Sequence, residues 1–139
     1  MTAAKNDETF DLSAFEAAET GTLDVIGLNE EPLLHAGKPV RITVYGPGST
    51  QFVRADAKAA AANQARALAS LRGKVSKDPD EHRLQLAERL SAVTHSIENF
   101  PSPGGAHALY SNARLGYITN QVVKFLDDWG NFKPASAAT

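Results

Sequence analysis

Apolar and polar positions alternate one by one over residues 40–46. Val40, Ile42 and Val44 fall on one side and Arg41, Thr43 and Tyr45 on the other, which predicts a strand with one buried face. A weaker alternation over residues 22–28 sets Leu23, Val25 and Gly27 against Asp24 and Ile26, and predicts a second strand. The connection "NEEPLLHAGKP" is rich in turn formers, so the two strands form a β-hairpin with a longer loop than the tightest turns. Upstream, "DLSAFEAAE" fits a short helix with Leu12, Phe15 and Ala18 on one side and Gly21 as its stop.

After the hairpin the period changes. Ser49 or Thr50 is placed to cap a helix over about residues 50–72, which carries nine alanines between 55 and 69. Phe52, Leu68 and Leu71, with Val53 beside them, are its large apolar anchors on one buried side. The thin face of Ala55, Ala59, Ala62 and Ala69 admits a close neighbour, either a helix of the same chain or a second subunit. Asp78, Pro79 and Glu81 make a capping-box-like start for a helix ending near Asn99. Its stripe is Leu86, Leu90, Val93 and Ile97. A last helix begins near Ser111, with Leu115, Ile118, Val122, Phe125 and Trp129 on one stripe and Gly130 at its end. The core between the last two helices is therefore expected to hold Leu86, Leu90, Val93, Ile97, Leu115, Ile118 and Val122.

These elements predict an α+β fold: an N-terminal β-hairpin followed by a three-helix, mainly α domain. At 139 residues the chain reads as a single domain, 1–139, with flexible ends at 1–8 and 133–139. The linkers at 73–78 and 101–106 are too short to divide it.

Composition narrows the function classes. A net charge of -2, with basic residues scattered and interrupted by Asp56, leaves no nucleic-acid footprint. No apolar run approaches the roughly 20 residues of a membrane span, and the N-terminus lacks a signal-peptide core. With no cysteine there are no disulfides and no thiolate metal site. His35, His82, His95 and His107 show no ligand spacing and read as exposed polar residues. "GPGS" and "PGGAH" match neither phosphate-loop motif and read as a turn and a helix start. Asp127 and Asp128 are neighbours on a helix and point apart, so they read as a solvated face. Ser49 and Ser111 lack a nucleophile elbow. No catalytic, cofactor or metal-binding residues are expected, and the chain is not expected to be an enzyme.

The stretch "LYSNARLGYITNQVVKFLDDWGNF" carries more aromatics than one buried stripe uses. Tyr117, Leu126 and Phe132 lie off the stripe or beyond Gly130, and are expected to form a flank that contacts a partner or a sister subunit. The alternative is that this flank packs under the hairpin, where Val25, Ile42 and Val44 need cover.

Four segments taken together resemble the tail assembly chaperones of long-tailed bacteriophages: the acidic lead "FDLSAFEAAETG", the strand-to-helix passage "KPVRITVYGPGSTQFVRADAKAA", the middle helix "LAERLSAVTHSIENF", and the closing segment that ends in Asn-Phe. The resemblance covers roughly residues 10–132 and is one of order and texture; the polar 73–80 linker and the "WG" before Asn131 are not assigned to it. It implies a non-enzymatic protein that engages the tape-measure protein while tail tube subunits polymerise. It further implies action in the host cell cytoplasm and absence from the mature virion. Contact with tail tube protein is implied through a longer, frameshifted form, and self-association is left open. The other reading is a structural or head–tail joining component of the virion, or an unrelated protein-interaction domain.

Overall fold

The computed structural model describes residues 11–73 and 79–134. The loose end expected at 1–8, the part of the one expected at 133–139 that follows Pro134, and the cap expected at Asp78 lie outside the described residues.

The alternation at 40–46 does produce a strand. It is β4 (Arg41–Tyr45), and it lies at the centre of a three-stranded antiparallel sheet, between β1 (Thr20–Asp24) and β5 (Thr94–Glu98). Ile42 and Val44 are fully buried. Leu23 and Ile97 flank Ile42, and Gly21 and Thr94 flank Val44, with a bulge between Thr43 and Val44 on the β5 side. The opposite face is polar. There the Thr22 and Thr43 hydroxyls meet at 2.9 Å, Arg41 Nε donates to Asp24 Oδ1 at 2.9 Å, and His95 stands edge-on to Tyr45. An antiparallel sheet with one wet face needs cover on the other only.

β5 is a correction. Residues 94–98 were expected to continue a helix, because Ile97 follows Val93 at helical spacing. Instead α2 (Glu81–Ala92, counted after α1, Thr50–Leu71) stops, and the chain turns into the sheet. Three β-branched residues, Val93, Thr94 and Ile97, favour the extended form. Thr94 Oγ1 closes the helix by donating to the Leu90 carbonyl at 2.8 Å. The open edge of β4 then supplies the hydrogen bonds the segment gives up as helix.

Between β1 and β4 the chain leaves the sheet as an arm, residues 26–39. Ile26 bridges to Pro32, and β2 (Leu34–His35) pairs with β3 (Lys38–Pro39). Ala36 and Gly37, both at positive φ (53° and 77°), make its two-residue turn, as the twist of a tight hairpin requires. The expected N-terminal helix is one short 3-10 turn, Leu12–Phe15, and Gly21 lies inside β1 rather than ending a helix.

α1 begins where expected. Ser49 Oγ accepts from the Phe52 N–H at 3.1 Å and donates to the Gly46 carbonyl at 2.7 Å, and the residue is buried. The α2 helix starts at Glu81, with Asp80 before it making no side-chain cap. The single closing helix expected from Ser111 to Gly130 is divided: α3 (Gly105–Ser111), a 3-10 turn (Ala113–Leu115), α4 (Gly116–Leu126) and a second 3-10 turn (Trp129–Phe132). Asn112 and Asp128 cause the breaks, since each holds an extended backbone and accepts a hydrogen bond from the N–H two residues on. The fold is thus mixed α+β with a small antiparallel sheet. It departs from the expected hairpin and three helices by the third sheet strand β5, by the small β2–β3 pair in the arm, and by the broken final helix.

The core lies between the inner sheet face and α2, α3 and α4. Leu90, Val93, Ile118 and Val122 are buried as expected, while Leu86, Ile97 and Leu115 pack at the core's margin. Val25, Val40, Leu109, Tyr110 and Phe132 complete it. Tyr110 turns its hydroxyl to Thr94 Oγ1 at 2.7 Å, so the buried phenol is satisfied.

Candidate protein-binding surfaces

Two of the three residues of the aromatic flank lie inside the molecule. Phe132 is 1% exposed and Leu126 7%, both within the core, and Tyr117 packs against its edge, half-buried. This corrects the expected exposure. Phe132 lies in a recess floored by two glycines. A Cβ on Gly21 would come within 2.8 Å of its ring, and one on Gly46 within 2.6 Å. Its ring meets Phe125 edge to face at 5.4 Å, and its carbonyl accepts from the Ala18 N–H at 2.7 Å. Of the two readings offered by the sequence, packing under the strands describes Phe132.

Exposed apolar surface lies elsewhere, on α1. Successive helix residues turn by about 100°, so a face returns every three or four positions. Phe52, Ala55, Ala59 and Ala62 make one such face, turned toward α2. Val53, Ala57, Ala61, Gln64, Leu68 and Leu71 make the opposite one, and all six are exposed. Leu68 and Leu71, expected on the buried side with Phe52, are 53% and 85% exposed. The helix spacing contained this second face. Taking the few large apolar residues as a single side hid it.

Between α1 and α2 is a cleft of about 290 Å³. Ala55, Ala59 and Ala62 form one wall and Leu86 with Gln85 the other. Arg89 pairs with Asp56 and sits over the Phe52 ring at 5.4 Å, while Lys58 approaches Glu88 at 3.6 Å. These contacts tie the first half of α1 to α2. The small alanine side chains keep the helices from filling the space between them, so the cleft stays open and apolar at its base with charges on its rim. A helix can approach such a floor closely, because alanine holds the neighbouring backbone off by only a methyl group.

The arm carries a second exposed apolar group, and Leu12, Phe15 and Trp129 are exposed as well. Leu28 is 80% and Leu34 57% exposed, with Glu30 and Glu31 between them. The arm is held by Gln121 of α4, whose amide accepts from the Ile26 N–H and donates to the Ile26 carbonyl, each at 2.7 Å. One side chain thus makes the pair of bonds that a neighbouring strand would make.

For chemistry the described residues offer little. All four histidines are exposed, and no group of three or more His, Asp or Glu among the described residues could hold a metal ion. Asp127 and Asp128 are exposed, and Asp128 is occupied in accepting from the Gly130 N–H at 2.9 Å. No described helix is long and apolar enough to cross a membrane. Comparison with known protein families, with curated proteins and with solved structures finds no match to this chain.

Proposed function

We propose that this chain is a tail assembly chaperone of a long-tailed bacteriophage, acting by binding rather than by catalysis. Its client is the tape-measure protein, a long helical chain whose apolar faces associate in water unless covered. It works in the host cytoplasm and leaves before the virion is complete. The observation that supports this reading best is the alanine-floored cleft between α1 and α2. It offers an apolar groove of about 290 Å³, room for the projecting side chains of an amphipathic helix, with cationic and anionic groups at its edge. The order of segments that resembles the family supports it independently.

The test is co-expression with the phage's tape-measure protein, capture of the complex, and the same capture with Ala62→Leu. The added side chain fills the groove, and capture weakens by about 1–3 kcal/mol, the usual cost of overpacking. The thermal melt stays near that of the parent, because Ala62 is only half-buried. Unchanged capture removes the cleft as the client site. Finding the protein in stoichiometric amount in purified particles replaces the chaperone by a structural component of the virion.

A further inference from the structure

Two exposed apolar patches of opposite charge lie on separate parts of this molecule. One is on the arm, where Leu28 and Leu34 are 80% and 57% exposed. Glu30 stands between them, at a φ of 65° in a turn closed by the bond from its N–H to the Gly27 carbonyl. The other is the second half of α1, where Leu68 and Leu71 are 53% and 85% exposed and Arg72 follows. Neither Glu30 nor Arg72 is in an ion pair among the described residues.

The charges decide which surfaces can meet. At about 100° per residue, Arg54 and Arg72 fall on the same side of the exposed α1 stripe. Antiparallel pairing of α1 with α1 of a second copy sets these cations against their own counterparts, which is unfavourable. The arm brings leucines for the leucines and a carboxylate for the guanidinium. We propose that copies of this chain join head to tail, the arm of one (Leu28, Glu30, Leu34) seating on the second half of α1 of the next (Leu68, Leu71, Arg72).

The two patches differ, so the contact is heterologous. Each copy keeps one free arm and one free α1, and addition continues into a ring or an open filament according to the rotation at each step. The seat lies on the face of α1 turned away from the cleft, so the inference stands or falls separately from the client site.

Sedimentation velocity on the purified chain, over a series of concentrations at low and physiological salt, reads the assembly. Species larger than the monomer are expected to grow with concentration and to shrink with salt, which screens the Glu30–Arg72 attraction. Leu28→Ser with Glu30→Lys, and separately Leu68→Ser with Leu71→Ser, each yield monomer with an unchanged melt, since all four side chains are exposed. Mixing these two variants is the decisive step: one supplies an intact α1 and the other an intact arm, so they form a one-to-one dimer and stop. Loss of assembly by Glu30→Lys alone is recovered by Arg72→Glu in the same chain. A wild-type chain that remains monomeric at the highest concentration overturns the proposal. So do variants that assemble like the parent, or a mixture that stays monomeric.

Discussion

Thr119 is the least comfortable residue in the molecule. It lies in α4, 5% exposed, and its hydroxyl is buried with no hydrogen-bond partner among the described residues. A buried orphan hydroxyl costs about 1–3 kcal/mol relative to a paired one. Thr119→Val keeps the shape and removes the orphan, so the melting temperature should rise, by the equivalent of about 1 kcal/mol. Tyr110 is the opposite case, buried but satisfied by Thr94. Burial pushes its phenol above the ordinary value, and the Thr94 bond partly opposes this. Below the ordinary tyrosine value the phenol is neutral in both the folded and unfolded chain. As the pH rises past about 10 the unfolded chain ionises first, so this residue draws the equilibrium toward unfolding. Tyr110→Phe is expected to cost about 0.5–1.5 kcal/mol at neutral pH through the lost hydrogen bond. The gap between parent and variant then narrows above pH 10. Denaturant melts at several alkaline pH values, with phenolate absorbance followed alongside, check both halves.

Among the elements, α1 has uneven support. Its first turns are held by the Ser49 cap, by Phe52 and by the Asp56–Arg89 pair, whereas Gln64, Leu68 and Leu71 are exposed. Helices draw most of their stability from packing, so the second half should open more readily than the first. Hydrogen exchange resolved along the helix should show protection falling between residue 55 and residue 71, and uniform protection in the free monomer would contradict this. The same helix shows what was legible in the sequence. Its start was, because a cap is a local signal that Ser49 and the Phe52 N–H complete between themselves. β4 was, because strict alternation has one structural meaning. β5 was not, since Val93 and Ile97 satisfy the helical period and the strand alike. The deciding partner, the open edge of β4, lies far away in sequence. Phe132 was illegible for a related reason. Its recess depends on the missing side chains of Gly21 and Gly46, which only the folded register of β1 and β4 brings beneath it. The candidate binding surface was half legible: the alanine face of α1 was expected to admit a neighbour, but its outward leucines were assigned to the wrong side.

For the whole molecule, the arm is held across a long span of chain, because Gln121 and Ile26 are 95 residues apart. A side-chain amide of this length both donates to and accepts from the backbone of one residue; Asn is shorter and ionised Glu lacks the donor. In Gln121→Glu the bond from the Ile26 N–H survives and the one to its carbonyl is replaced by two facing acceptors. Faster exchange at Ile26, with the melt lowered by about 1–3 kcal/mol, is the expected outcome. Unaltered exchange would place the hold on the arm elsewhere. Glutamate is also what glutamine becomes when its amide hydrolyses. A preparation in which Gln121 deamidates therefore acquires this variant without mutation, heavier by one mass unit and more negative by one charge, and loses the bond from Gln121 to the Ile26 carbonyl with it.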